Sequence, residues 1–304
     1  MKTRLILAVL ALLAATAAFW FLRSDGDSSK LGIEAKTLTD EILAFGPRPP
    51  ASENLRKVQQ HLSEGLEKAG WVTNIQEFER STPIGNVRFR NLRARFGDDG
   101  TKTWNRNITG ILCAHLDSKY DKEEKFLGAD DAASACAALV EIGKYLAEYK
   151  PEQAGQLEIV FFDGEEAFAK NMTILDGLYG SRFYANQWRT QKVKPDFGIL
   201  LDMVGHEDLS IRIPSDSPEN LAKLMFETAR ENSVSHHFGT APGPIMDDHL
   251  PLNLVGIPTL DIIGDFANKR WWHTPGDNAA IVSAESLGIS IGVTLGMLDE
   301  LLKQ

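Results

Sequence analysis

The sequence predicts an α/β protein of three layers, α/β/α, with helices on both faces of a central, mostly parallel mixed sheet. Two observations predict it. Short runs that are apolar at nearly every position, the mark of strands buried on both faces, alternate with segments of helical periodicity. Ionisable residues then follow directly on those runs, at the carboxyl ends of the strands, where sheets of this kind collect their ligands.

Taken in order, Leu38 to Phe45 and Ser52 to Ala69 carry apolar residues at helical spacing, and the intervening GPRPP forces a break because proline cannot continue a helix. Strands are predicted over Val87 to Phe96, Ile108 to Ala114, Leu157 to Phe162, Phe197 to Leu201 and Thr259 to Ile263. Between and after them, Ala132 to Tyr149, Leu175 to Gln187, Pro218 to Asn232 and Ala284 to Lys303 are each long enough for an amphipathic helix. No internal repeat or low-complexity tract interrupts the pattern.

The 304 residues are 43% hydrophobic, enough to build a core without disulfides, and residues 31–304 read as a single domain. The formal charge of −10, with no dense Lys/Arg run, excludes nucleic acid as the main partner, since phosphate binding needs a basic face. Small molecules or peptides fit the composition better. Ahead of the domain, Leu5 to Leu22 is eighteen residues without a charge, which as a helix would be about 27 Å long, close to the hydrocarbon thickness of a bilayer. Lys2 and Arg4 precede it, so the positive-inside bias keeps the amino terminus in the cytoplasm and exports the rest. Residues 1–30 are therefore expected to be a cytoplasmic stub, a signal-anchor helix and a short polar linker. The domain is expected to be membrane-tethered on the exported side and monomeric. The alternative is a secreted protein, cleaved near Ala15-Thr16-Ala17.

The stretch FFDGEEAF, residues 161–168, carries the chemistry. An apolar strand ends in Asp163, Glu165 and Glu166, and unpaired carboxylates there would be costly to desolvate unless they serve a purpose. His115 and Asp117 follow one predicted strand and Asp202 follows another. Asp131 opens a helix in GADDAA, and His273 projects from the loop WWHTPGD. Zinc at a catalytic site takes three nitrogen or oxygen ligands plus water or substrate. Asp131, Glu166 and His273 supply that set, leaving Glu165 as general base, with a pKa expected to rise through burial beside other carboxylates. Asp130 has helix capping as its plain alternative, and His115 that of a satisfied polar group. His61, His206, His236, His237 and His249 are read as solvent-facing or hydrogen-bonding residues.

The ordered segments HLDS, GADDAAS, DGEE, LYGS, LLDMVG, DDH and WHT resemble the M28 zinc aminopeptidase superfamily. IVFFDGEEAF, DGLYGSRFYA, IMDDHLPLNLVGIPTLDII and WWHT are similar, in order and spacing, to the animal-type glutaminyl cyclases within it, as are FGPRPPAS and STPIGNVRFRNLRARF near the start of the domain. The resemblance implies a zinc-exopeptidase-like fold and one zinc per chain on Asp131, Glu166 and His273. It implies Glu165 as acid/base, with Asp202 and Asp247 in an acidic relay behind it. Trp272 would wall the pocket for a substrate glutamine side chain, with Phe266 lining it too. The implied reaction converts the amino-terminal Gln of peptides or proteins to pyroglutamate and ammonia.

Two rivals remain. A metallo-aminopeptidase would use Glu165 to activate water, with His115 and Asp202 helping to hold a second metal. A tethered binding domain would keep the fold without the reaction. The chain also departs from the cyclase pattern. Ala169, Lys170 and Asn171 stand where a tryptophan is usual, Asp261 stands where a histidine is usual, and Cys113 sits one residue from the usual partner of Cys136. The resemblance thus leaves a Cys113–Cys136 bridge open.

Overall fold

The computed structural model describes residues 27–98, 100–173, 175–267 and 269–303. A first helix, α1, covers residues 27–44 and ends where the GPRPP segment removes backbone donors. The next, α2 (Glu53–Lys68), is opened by Ser52, whose side chain accepts from the Leu55 amide at 3.1 Å. Two strands, β1 (Trp71–Thr82) and β2 (Gly85–Phe96), then form an antiparallel hairpin in register from Trp71 opposite Phe96 to Thr82 opposite Gly85. The remaining elements are α3 (Gly100–Asn105), β3 (Gly110–His115), α4 (Ala135–Tyr149), α5 (Pro151–Ala154), β4 (Leu157–Phe162), α6 (Tyr179–Asn186), β5 (Phe197–Asp202), β6 (Ile211–Ile213), α7 (Glu219–Glu231), β7 (Phe238–Thr240), α8 (His249–Leu254), β8 (Thr259–Ile263) and α9 (Ala284–Leu301).

The main sheet has the order β1-β2-β4-β3-β5-β8. Its last four strands run parallel, and β1 and β2 join antiparallel at one edge, so the sheet is mixed and mostly parallel as expected. Strand alternation feeds two cores. Leu112 and Ala114 point into the larger one, with Val58, Leu62, Leu139 and Ile291 from α2, α4 and α9. Ile111 and Cys113 point to the other face, against Tyr184 of α6 and Leu252 of α8. Helices therefore cover both faces, which is the three-layer arrangement.

This alternation also settles the cysteines. Cys113 and Cys136 are buried free thiols on opposite sides of the sheet, with Cys113 Sγ against Ile199 O and Cys136 Sγ against His115 O. The one-residue offset noticed in the sequence sends the Cys113 side chain to the wrong face for a bridge.

Several boundaries differ from expectation for local reasons. Residues 27–30, read as linker, are already helical, because α1 packs on a glycine stripe of α9: a methyl group at Gly288 would lie 2.8 Å from Ser28 O, and one at Gly32 only 2.1 Å from Ala284 O. The helix expected from Leu175 starts at Tyr179, since Gly177 (φ 112°) and Leu178 (φ 53°) hold left-handed backbone. The one expected from Ala132 starts at Ala135, because Asp131 and Ala132 leave helical geometry. β1 was not foreseen: its residues WVTNIQEFERST are mostly polar, as an exposed edge strand allows. The expected anchor, Leu5 to Leu22, lies outside the described residues, among which no helix is long and apolar enough to cross a membrane.

Candidate active site

Four parallel strands deliver their carboxyl ends to one edge. β3 ends at His115, β4 runs into the Asp163-Gly164-Glu165-Glu166 turn, β5 ends at Asp202, and β8 carries Asp261. A pocket of about 360 Å³ opens there, lined among others by Glu165, Glu166, Asp131, Asp247, Trp272 and His273.

The turn that carries both glutamates is held from below by Asp117. Its carboxylate accepts the backbone N–H groups of Gly164 (2.9 Å), Glu165 (3.1 Å) and Glu166 (3.1 Å), all buried. Gly164 takes φ 79°, and a methyl group there would meet Phe89 at 2.4 Å, so glycine is required. Asp163 faces away from the pocket and accepts from the Arg90 amide at 2.7 Å and the Ala51 amide at 3.3 Å, a structural support for the same turn. Asp131 is fixed by Asp277, whose two oxygens take the Asp130 amide at 2.7 Å and the Asp131 amide at 3.2 Å. Asp130 is no helix cap: its Oδ1 accepts from Gly205 N at 2.7 Å and ties the segment to the end of β5. Arg48, from the GPRPP break, is buried and donates to the carbonyls of Leu116, Leu127 and Gly128, clamping the chain between β3 and Asp131.

The three expected metal ligands meet. His273 Nε2 lies 3.1 Å from Glu166 Oε1 and 3.4 Å from Asp131 Oδ2. A tetrahedral ion with ligand bonds of about 2.0 Å has ligand–ligand edges of about 3.3 Å, so one imidazole nitrogen and two carboxylate oxygens at these separations fit zinc. Glu166 Oε1 has no hydrogen-bond partner, whereas Oε2 is held by Lys119 Nζ at 3.1 Å, which also donates to Ala167 O at 3.0 Å. Lys119 thereby leaves a single oxygen of Glu166 facing His273. His273 adopts φ 50°, uncommon for a residue with a side chain and typical of functional sites. Burial opposes charge on His273, but the adjacent Asp131 and Glu166 carboxylates outweigh it and push its pKa up to about 10. Asp131 is correspondingly lowered, burial being overcome by His115 and His273.

Glu165 is 8% exposed and lines the pocket without belonging to the ligand set. Its pKa is raised well above the usual carboxylate range, first by burial, then by Glu166, Asp247 and Asp248, with His115 pulling the other way. His115 Nε2 lies 3.1 Å from Asp131 Oδ1 and 3.3 Å from Asp202 Oδ1, joining a ligand to Asp202. Trp272 donates from Nε1 to Asp131 Oδ2 at 3.2 Å, packs on Phe266 with ring centroids 4.7 Å apart, and stacks on His273 at 4.0 Å. Phe266 lines the pocket beside it, and Lys170, Asn171 and Met172 line it as well.

The sequence reading singled out Asp117 without giving it a task, and it overlooked Lys119, Arg48 and Asp277. Asp277 closes WWHTPGD and Arg48 lies in FGPRPPAS, both segments already marked, while Lys119 directly follows HLDS.

The sequence pattern of peptidase family M28 matches residues 98–296. A glutaminyl-peptide cyclotransferase of Dictyostelium discoideum is 31% identical, covering 87% of this chain and 82% of its own. The chain belongs to family M28, in its glutaminyl-peptide cyclotransferase branch. Among solved structures, a glutaminyl cyclase from an Acidobacteriales bacterium superposes with a TM-score of 0.77 at 28% identity, covering 89% of this chain and 94% of that one. A Zn-dependent exopeptidase from Parabacteroides distasonis gives 0.76 at 25% identity, covering 90% and 98%. The expected zinc-exopeptidase-like fold is thus found.

Proposed function

We propose that this chain is a zinc-dependent glutaminyl-peptide cyclotransferase, converting the amino-terminal glutamine of peptides or proteins to pyroglutamate with release of ammonia. The observation that carries it is the grouping of Asp131, Glu166 and His273 beside a separate buried carboxylate, Glu165, in a pocket walled by Trp272, within a chain so similar to cyclotransferases. Asp131, Glu166 and His273 would hold one zinc, which when bound supplies Lewis-acid polarisation of the γ-carbonyl.

The protein's own residues do the rest. Trp272 and Phe266 give the glutamine side chain a flat apolar wall, and holding the α-amine against the γ-carboxamide makes ring closure intramolecular. Glu165 takes a proton from the attacking amine and returns it to the departing nitrogen. A carboxyl raised above its ordinary range holds a proton more readily, which suits the return step. A free α-amine has a pKa of about 7.7 to 8.0, so the reactive neutral form accumulates in mildly alkaline solution. Asp202 and Asp247 set the charge around Glu165, Asp202 through His115 and Asp247 from the pocket floor. We assign the substrates to the exported side of a membrane, with the catalytic domain monomeric and tethered by Leu5 to Leu22.

The aminopeptidase reading needs a second ion on His115, Asp131 and Asp202, which also form a possible ligand group. Glu165→Gln tests the assigned base: zinc content and fold should persist while turnover falls by about 10² to 10⁴. Unchanged turnover would refute the assignment.

A further inference from the structure

Beneath the pocket lie two buried residues that the mechanism leaves unused. Asp261 on β8 is fully buried and His249, at the start of α8, is 1% exposed. Asp247, which lines the pocket with Glu165, faces both, and the three residues offer donor atoms within 4.8 Å of one another. A carboxylate oxygen of Asp247 thus lies within 4.8 Å of one of Asp261. Yet Asp247 Oδ2 and both oxygens of Asp261 have no donor, while Asp247 Oδ1 accepts from the Asp248 amide. Ionised carboxylates only accept hydrogen bonds, so two of them in contact away from water repel unless a proton lies between them.

Among the described groups around them acids prevail, and the His115 imidazole that acts on Glu165 and Asp248 is engaged by Asp131 and Asp202. The groups facing the pair are Asp202 from β5, Asp216 from the loop after β6, Asp248 beside Asp247, Glu165 from the loop after β4, the Cys113 thiol of β3, and His249. All except His249 and the thiol are acids. His249 Nδ1 is 3.3 Å from Asp261 Oδ2, and burial holds its pKa below the ordinary value, which favours a neutral ring.

We propose that Asp261 is a positioning residue that shares one proton with Asp247, so that the pair presents one negative charge beside Glu165 and keeps Asp247 fixed at the pocket floor. The proposal rests on the cyclotransferase reading for its kinetic consequence. Loss of the shared proton at high pH adds a second charge next to the base and drives the two carboxylates apart, so turnover declines on the alkaline side. Asparagine at 261 mimics the singly protonated pair, since its amide donates to Asp247 and cannot be deprotonated.

The test is a set of pH profiles of kcat and KM on a Gln-initiated peptide for wild type, Asp261→Asn and Asp261→Ala. These are joined by the infrared difference spectrum of wild type minus Asp261→Asn and by elemental analysis of all three proteins. Asp261→Ala should lower kcat at least tenfold with KM little changed. Asp261→Asn should restore most of that loss and move the alkaline limb of kcat up by a pH unit or more. The difference spectrum at neutral pH should contain the C=O stretch of a protonated carboxyl, a readout that holds even for protein without turnover. Asn falling as far as Ala, an unmoved alkaline limb, or a missing carboxyl band would overturn the proposal. So would a second metal in wild type that Asp261→Asn loses, which would make the cluster a cation site. A wild type that shows the carboxyl band but forms no pyroglutamate would instead sink the cyclotransferase reading and leave the shared proton standing.

Discussion

Replacing Asp117 with asparagine changes one atom's chemistry and should disturb the whole site. The carboxylate accepts three buried backbone N–H groups, two on Oδ1 and one on Oδ2. Hydrogen bonds to a charged group contribute about 1.5 to 3 kcal/mol, against about 0.5 to 1.5 kcal/mol for neutral ones. In the variant the two bonds to Oδ1 persist in neutral form, a loss of about 1 kcal/mol each. The amide nitrogen now confronts the Glu166 N–H, donor against donor, which costs about 1 to 3 kcal/mol more. The expected destabilisation is about 3 to 5 kcal/mol, read as a lower midpoint in urea unfolding with an unchanged slope. Glu165 and Glu166 ride on this turn, and misplacement by about 1 Å can cost about 100-fold in rate, so kcat should fall to that degree in the protein that remains folded. A variant as stable and active as wild type would refute the claim that Asp117 holds the catalytic turn.

Other consequences are checkable together. Lys119→Met frees the second oxygen of Glu166 and removes its buried partner. Zinc affinity, measured by competition with a chelating dye, should weaken about 10- to 100-fold, as when a support behind a metal ligand is lost. In metal-stripped protein the His273 pKa of about 10 lies above its unfolded value of about 6.5. Its contribution is therefore fully present below about pH 6.5 and is lost as pH rises through about 10. Melting temperatures of stripped wild type should fall over that window more steeply than those of His273→Gln, and parallel curves would contradict the assigned ion pairs. Thiol titration of unreduced, denatured protein should find both Cys113 and Cys136 free.

The strands were readable because a parallel strand buried on both faces is a continuous apolar run, as in LEIVFF and FGILLD. That same pattern pointed to the site, since polar residues after such runs must leave the core at its edge. Asp131, Glu166 and His273 are far apart in sequence, and residue type, local position and the family resemblance singled them out; their meeting within about one ion's width is a product of the fold. What escaped was of two kinds. β1 is polar on most positions because it is an edge, so its pairing with β2 left little hydrophobic signal. Arg48, Asp117, Lys119 and Asp277 act on backbone carbonyls, backbone amides or a ligand's spare oxygen. Such tasks depend on which loops come together, and residue type alone does not disclose them. Asp261 was visible as an unusual acid, but its proximity to Asp247 emerges only in the fold.

The central claim is the reaction itself, and the most direct measurement is a mass comparison. The purified full-length chain, loaded with zinc, is incubated with a Gln-initiated peptide and a Leu-initiated peptide of otherwise identical sequence. The account predicts that the first loses the mass of ammonia and becomes resistant to amino-terminal sequencing while the second stays intact. Release of free leucine or free glutamine would contradict it and establish hydrolysis instead.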